Sequence, residues 1–168
     1  IPFLLRSLGS DFKSVLVKGR SNYLCWRRLH RTVRLGADLF DAGQRDEVKR
    51  IRDWAEQSSD GSLQEMRKQP DSMLWQQVCA EHGNCLRRKC ADYNRCFFMN
   101  ARRQMYDAHV LIVNHHLFFS ELGMRLNGSA FLPPYSAVIL DEAHQVEMVA
   151  GDHLGIRLSH FSFEYWMR

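Results

Sequence analysis

Ala137-Val138-Ile139-Leu140-Asp141-Glu142-Ala143-His144 is an apolar, β-branched run that ends in two carboxylates and a histidine. Four apolar residues in succession, bounded by polar ones, read as a strand buried on both faces, as in a parallel sheet. In open α/β sheets, ligands bind beyond the carboxyl ends of the strands. At such an edge Asp141 can hold Mg²⁺ on the phosphates of a nucleotide, and Glu142 can orient and deprotonate an attacking water. His144 can report the nucleotide state to neighbouring segments. The bland alternative is a strand with a polar C-terminal turn. The placement of Asp-Glu-Ala-His directly after the apolar run makes the nucleotide reading fairly specific.

Working outward, Val110-Leu111-Ile112-Val113 is a second run of the same kind. Ser14-Val15-Leu16-Val17, followed by Lys18-Gly19-Arg20, reads as a third buried strand and its turn. Asn114-His115-His116 falls at the end of the second strand. Neighbouring residues on a strand point in different directions, and helical zinc pairs need i, i+4 spacing. Asn114-His115-His116 therefore reads as a satisfied polar strand end that positions a helix over 116–122. Residues 128–134 form the returning loop.

Between the first and second strands lies a segment of different character. From Asn22 to about Met105 strand-like runs vanish and helix formers dominate. Glu47–Gln57 carries Val48, Ile51, Trp54 and Ala55 at helical spacing. Residues 58–61 and 69–72 are loops, and Asp71 or Ser72 can cap a helix through Gln77. Phe97–Ala108 reads as a helix leaving a cysteine-rich stretch. A helical stretch of roughly 85 residues is far longer than an ordinary connection. The expected architecture is α/β: part of a parallel-sheet domain, interrupted by a helical module. There is no internal repeat and no low-complexity segment.

The five cysteines are Cys25, Cys79, Cys85, Cys90 and Cys96. An odd number without a secretion signal argues against a disulfide framework and for thiolates on a metal in a reducing compartment. Three ligands packed as Cys85-x4-Cys90-x5-Cys96, with a fourth far upstream, is a common iron–sulfur layout. Structural zinc more often uses two close pairs. Spacing leaves Cys25 and Cys79 both open as the fourth ligand, although the residues before Cys79 read as helix and suit a packing thiol. Arg20, five residues before Cys25, is placed either to hydrogen-bond a cluster sulfur or as an exposed turn residue.

The net charge of +4 says little by itself. Its distribution says more. Arg87, Arg88, Lys89, Arg95, Arg102 and Arg103 share the stretch from Cys85 to Arg103 with a single acid, Asp92, a local excess above that of the whole chain. Tyr93, Phe97 and Phe98 are interleaved with these charges. Aromatics that stack on bases among phosphate-neutralising cations are the composition of a single-strand nucleic-acid surface. A solvated basic surface over core phenylalanines is the competing reading. No apolar run approaches a membrane span.

Taken together, 18–25 (KGRSNYLC), 85–90 (CLRRKC), 96–98 (CFF), 113–117 (VNHHL) and 141–144 (DEAH) resemble the DinG/XPD-like iron–sulfur superfamily 2 DNA helicases, the bacterial DinG/YoaA-like branch above all. The resemblance runs from about residue 14 to about residue 158. It implies a RecA-like fold and a [4Fe–4S] cluster on Cys25, Cys85, Cys90 and Cys96, which favours Cys25 over Cys79. It also implies ATP-driven 5′-to-3′ unwinding by the complete protein, in DNA repair or replication, with ATP and Mg²⁺ as cofactors. Implied partners are single-stranded or forked DNA, with single-strand-binding or replication proteins as candidates, in the cytoplasm and at the nucleoid. On this reading residues 1–21 and 106–150 are parts of motor domain 1, 22–105 is the cluster domain, and 151–168 opens a helical arch domain. No G-x-x-x-x-G-K-[ST] loop occurs in the sequence, so the chain alone is not expected to hydrolyse ATP. Two alternatives stand beside it: a zinc- or iron–sulfur-binding nucleic-acid module without motor activity, and an iron–sulfur nuclease. The nuclease would need an acidic and lysine metal-binding motif between its cysteines, and no convincing one is present.

Overall fold

The computed structural model describes residues 12–155, apart from the side chains of 37–39. Two compact units divide at Leu111 and Ile112. The chain is mixed α/β, with a two-stranded parallel sheet of β1 (Ser14–Leu16) and β2 (Val110–Ile112). The sheet begins where the His109 and Val110 amides both donate to the Lys13 carbonyl, at 2.8 and 3.1 Å.

Between these strands the chain is helical, as its composition leads one to expect. Helix α1 spans Trp26–Leu39, α2 Ala42–Gln57, α3 Ser72–Val78 and α4 Phe97–Tyr106. The start of α2 is fixed by a capping box. Asp41 Oδ1 accepts from the Gln44 amide at 2.8 Å, and Gln44 Oε1 accepts from the Asp41 amide at 3.2 Å. Asp71 caps α3 through the Leu74 amide at 2.9 Å. Helix α2 buries Val48, Ile51 and Ala55, which share one face at spacings of three and four. They meet Leu24, Leu29, Leu74, Trp75 and Val78 in one core, of which Leu24, Leu29, Ile51 and Val78 are fully enclosed. Burial of such aliphatic side chains contributes roughly 1.5–3 kcal/mol each.

The extended Tyr23–Leu24 segment threads this core. Tyr23 bridges antiparallel to Ser62 and Leu24 to Cys79. The Cys25 amide donates to the Val78 carbonyl at 2.8 Å, and Trp75 Nε1 donates to the Ser21 carbonyl at 2.9 Å. Gly61 makes this approach possible. Its φ is +62°, its carbonyl accepts from the Leu24 amide at 2.9 Å, and a Cβ there would fall 2.1 Å from the Phe97 ring.

In the second unit α5 (His115–Leu126) packs on α6 (Val146–Leu154). Phe119, Leu132 and Val149 are buried. The fully buried Glu121 carboxylate accepts from Arg125 at 2.7 and 3.1 Å and from the Phe131 amide at 2.8 Å. That triad ties the returning loop to α5.

One expectation fails. Ala137–Leu140 forms no strand, and no described strand pairs with it. Val138 and Leu140 are exposed, and Ile139 is 96% exposed. A strand of a parallel sheet needs a ladder partner beside it and cover on its faces. Neither is present among the described residues. Leu16, Val110 and Ile112 are likewise exposed, so β1 and β2 pair without being buried on both faces.

Candidate functional site: the cysteine lobe and the acidic turn

The first unit gathers the four motif cysteines from loops and helix starts. Cys25 is the N-cap of α1 and Cys96 the N-cap of α4. Cys85 and Cys90 bracket a 3₁₀ turn over Arg87–Lys89. Arg87 enters that turn with φ +49°, a conformation uncommon for a residue with a side chain. All four thiols are half-buried and none is in a disulfide.

These thiols lie within electrostatic reach of one another. Burial is the largest influence on Cys25 and pushes its thiol up; the Arg28 and Arg27 amides and the Arg27 guanidinium pull it down, while Cys90 pushes it up. Burial likewise raises Cys96, against the Met99 amide, with further pushes from Cys25 and Cys85. Thiols at helix N-termini beside arginine are placed to become thiolates once a cation offsets their mutual repulsion. Among the described residues, no three His, Cys, Asp or Glu side chains already stand in ligating geometry. The donor set suits a soft, thiolate-bound centre: four sulfurs that influence one another, at two helix starts and about one 3₁₀ turn.

Cys79 differs. It is buried in the hydrophobic core at the end of α3, and its Sγ lies 3.7 Å from the Gln76 carbonyl. Burial pushes its thiol up, Arg28 opposes, and Glu81 and Cys25 add to the rise. It packs in the core, where the other four stand half-buried at helix starts and about the 3₁₀ turn. Arg20 is half-buried, not a bare turn residue: its guanidinium sits 4.2 Å from the centre of the Phe98 ring.

The basic residues split into groups. Arg88 and Arg103 both flank the Tyr93 phenol; hydrogen bonding from Arg103 first, then Arg88, holds the exposed phenol below its usual range. The Arg103 guanidinium lies 5.1 Å from the Tyr93 ring centre and donates to Asn100 Oδ1 at 2.8 Å. Arg87 and Lys89 stand exposed on the 3₁₀ turn, and Arg102 lies half-buried on α4. Arg95 is engaged in the lobe itself. It pairs with Asp92 at 3.0 Å and Glu56 at 3.8 Å, and covers the Trp26 ring at 4.0 Å. Phe97 is buried in the core and Phe98 packs against it, so of the interleaved aromatics the half-buried Tyr93 is the one outside that core.

The sequence reading missed a second basic surface. Arg27, Arg28 and Arg31 line a cleft of about 250 Å³ with Thr32, Gln77 and Asn84. Arg27 donates to the Asn84 carbonyl, and Arg28 reaches Glu81 and the Gln77 carbonyl. Helical periodicity over 27–31 was the signal that could have found it, since spacings of three and four share a face.

In the second unit the acidic turn is formed although the strand before it is not. Asp141 Oδ1 accepts from the Glu142 amide at 3.0 Å. Glu142 has φ +48° and opens a 3₁₀ turn over Ala143–Gln145 that runs into α6. His144 Nδ1 lies 3.4 Å from Glu142 Oε2, and Asp141, Glu142 and His144 are all exposed. Asn114 acts as expected, capping α5 through the Leu117 amide at 2.8 Å. His116 Nδ1 meets His153 Nε2 at 3.3 Å across the two helices.

The model of the family described as DEAD_2 matches residues 9–162, nearly the whole chain. The chain belongs to the DEAD_2 family. Among curated relatives, it is 35% identical over 161 residues to a protein named ATP-dependent DNA helicase YoaA from Escherichia coli, covering 95% of this chain and 25% of that one. The YoaA of Haemophilus influenzae is 32% identical over 161 residues, with the same coverage. A protein named ATP-dependent helicase DinG from Mycobacterium tuberculosis H37Rv is 31% identical over 148 residues, covering 80% of this chain and 22% of its own. The DEAD_2 chain thus spans about a quarter of the length of these relatives. Among its described residues no helix is long and apolar enough to cross a membrane.

Proposed function

We propose that this chain is the cluster-bearing part of the first motor domain of a DinG-type, ATP-dependent 5′-to-3′ DNA helicase acting in repair or replication. The observation that carries the reading is the pairing, within one DEAD_2 match, of a four-thiol lobe with an Asp-Glu-Ala-His turn. Residues 22–105 form the cluster domain, 1–21 and 106–150 belong to the motor domain, and 151–168 lead toward an arch domain. Residues 1–11 and 156–168 lie outside the described structure.

Cys25, Cys85, Cys90 and Cys96 hold a [4Fe–4S] centre, which supplies a rigid, redox-active node for the lobe. The chain contributes thiolates from two helix N-caps and two loop positions. Asp141 holds the Mg²⁺ of a bound ATP, Glu142 takes the proton of the attacking water, and His144 senses the change through its contact with Glu142. Arg87, Arg88, Lys89, Arg102 and Arg103, with Tyr93 among them, meet the phosphates and bases of a single strand. Arg95, also in that basic stretch, serves the interface mainly by holding Trp26 and Asp92 in place.

The deciding experiment pairs iron analysis with ATPase assay of the complete protein. Anaerobic preparations should be brown, with about four irons and four sulfides per chain. Glu142→Gln should keep ATP binding and lose most DNA-stimulated hydrolysis. Stoichiometric zinc without iron would overturn the iron–sulfur assignment in favour of the zinc module, and near wild-type turnover in Glu142→Gln would overturn the assignment of the base.

A further inference from the structure

Among the described residues one buried side-chain nitrogen or oxygen has no hydrogen-bond partner: Nε1 of Trp26. The residue is 4% exposed. An indole N–H can only donate, and a buried donor left unpaired bears its full desolvation cost. Native proteins rarely leave such a group without a reason. The same fold satisfies Trp75, whose Nε1 donates to the Ser21 carbonyl at 2.9 Å.

The surroundings of Trp26 point to the missing acceptor. Trp26 directly follows Cys25, the N-cap of α1. Its ring stacks on Phe97 with centroids 5.7 Å apart and planes 29° apart, and Phe97 directly follows Cys96, the N-cap of α4. Arg95, directly before Cys96, covers the ring at 4.0 Å. The indole is therefore enclosed by the immediate neighbours of two of the four thiols. No oxygen, nitrogen or thiol sulfur among the described residues accepts from it, and the acceptors that the proposed centre would bring beside it are anionic sulfurs.

We propose that Trp26 Nε1–H donates a hydrogen bond to a sulfur of the iron–sulfur centre, a bridging sulfide or a ligating cysteine. This rests on the four-cysteine reading above. Trp26 is then a positioning residue with two roles. Its ring fixes the starts of α1 and α4 against each other, and its N–H stabilises negative charge on sulfur. Because the reduced centre is the more negative one, the donor favours it and raises the reduction potential.

The test uses the anaerobically purified complete protein, with Trp26→Phe, which keeps an aromatic ring for Phe97 and Arg95 and removes only the donor. The expected result is unchanged iron and sulfide content and a reduction potential shifted to more negative values. Wild type labelled with ¹⁵N in its indoles should show a nitrogen coupling to the reduced, paramagnetic centre. That coupling should persist in Trp54→Phe, Trp75→Phe and Trp166→Phe. Full loading with an unchanged potential and no nitrogen coupling would overturn the proposal and leave the four-cysteine assignment standing. Iron that is absent from wild type, or retained in full by Cys25→Ser, overturns that assignment and this proposal with it. If Trp26→Phe fails to load, the coupling in wild type decides by itself, its presence supporting the bond and its absence overturning it.

Discussion

The two units of this chain handle apolar sequence in opposite ways. The cysteine lobe encloses Leu24, Leu29, Ile51 and Val78 completely, on helices and one extended segment that supply one another's cover. The second unit buries Phe119, Leu132 and Val149 between α5, α6 and a loop, yet presents Val138, Ile139 and Leu140 to solvent. A helix satisfies its own backbone and needs only a face to pack on, whereas a strand needs a ladder partner first. Apolar content alone therefore does not foretell burial. The element that the residues specify also determines how much of the rest of the fold must already be in place.

The largest effects expected from this contrast are catalytic and cofactor losses, one in each unit. In the complete protein Glu142→Gln should lower DNA-stimulated ATPase roughly 10²- to 10⁴-fold, read by phosphate release, since the attacking water loses its base. Cys25→Ser, Cys85→Ser, Cys90→Ser and Cys96→Ser should each damage the iron content that Cys79→Ser leaves intact. Iron lost from Cys79→Ser and kept by Cys25→Ser would exchange the fourth ligand.

Next come the packing terms. Ile51→Ala should destabilise the 168-residue chain by about 2–5 kcal/mol in urea titration, because the enclosed site cannot collapse fully. Ile139→Ala in the same chain should stay within about 0.5 kcal/mol, as suits an exposed position. Equal losses at both sites would erase the contrast between the units.

A smaller effect concerns pH. The Cys25 and Cys96 thiols are held above their ordinary value of 9.0, chiefly by burial. A raised folded-state value means the folded form keeps its protons longer than the unfolded one. The stability this contributes is fully present below the ordinary thiol range and is lost as pH rises through the folded-state values. The melting temperature of the metal-free chain should therefore fall above about pH 9, and fall less in Cys25→Ser/Cys96→Ser. Metal loading has the opposite sign, since thiolates bind and protons leave.

The smallest effect is on DNA. Arg88→Ala/Arg103→Ala should flatten the log–log salt dependence of single-strand binding by about 0.7 per lost phosphate contact. Arg95→Ala should act mainly on the lobe, because its guanidinium is held by Asp92, Glu56 and Trp26. An unchanged slope in the double variant would remove the Tyr93 cluster from the DNA path.

Much of this was legible in the residues, and the failures have physical causes. Helices α2, α3 and α4 could be read from periodicity and from Asp71 as a cap, and Asn114 as the residue that starts α5. The boundaries drifted where capping, not hydrophobicity, sets them: α2 begins at Ala42 because Asp41 and Gln44 exchange hydrogen bonds, five residues before Glu47. Ala137–Leu140 misled because four apolar residues specify a strand only beside a partner strand. The candidate site could be read only as residue types and spacing. The contacts of Arg95 and Trp26 could not be read there, since ring stacking and an unpaired indole N–H depend on three-dimensional neighbours that no local pattern encodes.

The contact between Gly61 and Phe97 sets a tolerance for the whole lobe. At Gly61 the backbone passes so close to the Phe97 ring that the first carbon of any side chain would occupy the space of the ring itself. Phe97 stands one residue beyond Cys96 and carries the Trp26 ring, which stands one residue beyond Cys25. Gly61, 18 residues from the nearest cysteine along the chain, therefore acts as a spacer that bears on how near two cysteines 71 positions apart can come. Thickening it by one methyl group would displace Phe97 first and the adjoining Cys96 next. The spacing of Cys25 and Cys96 is thus written partly in a residue that has no side chain with which to touch either.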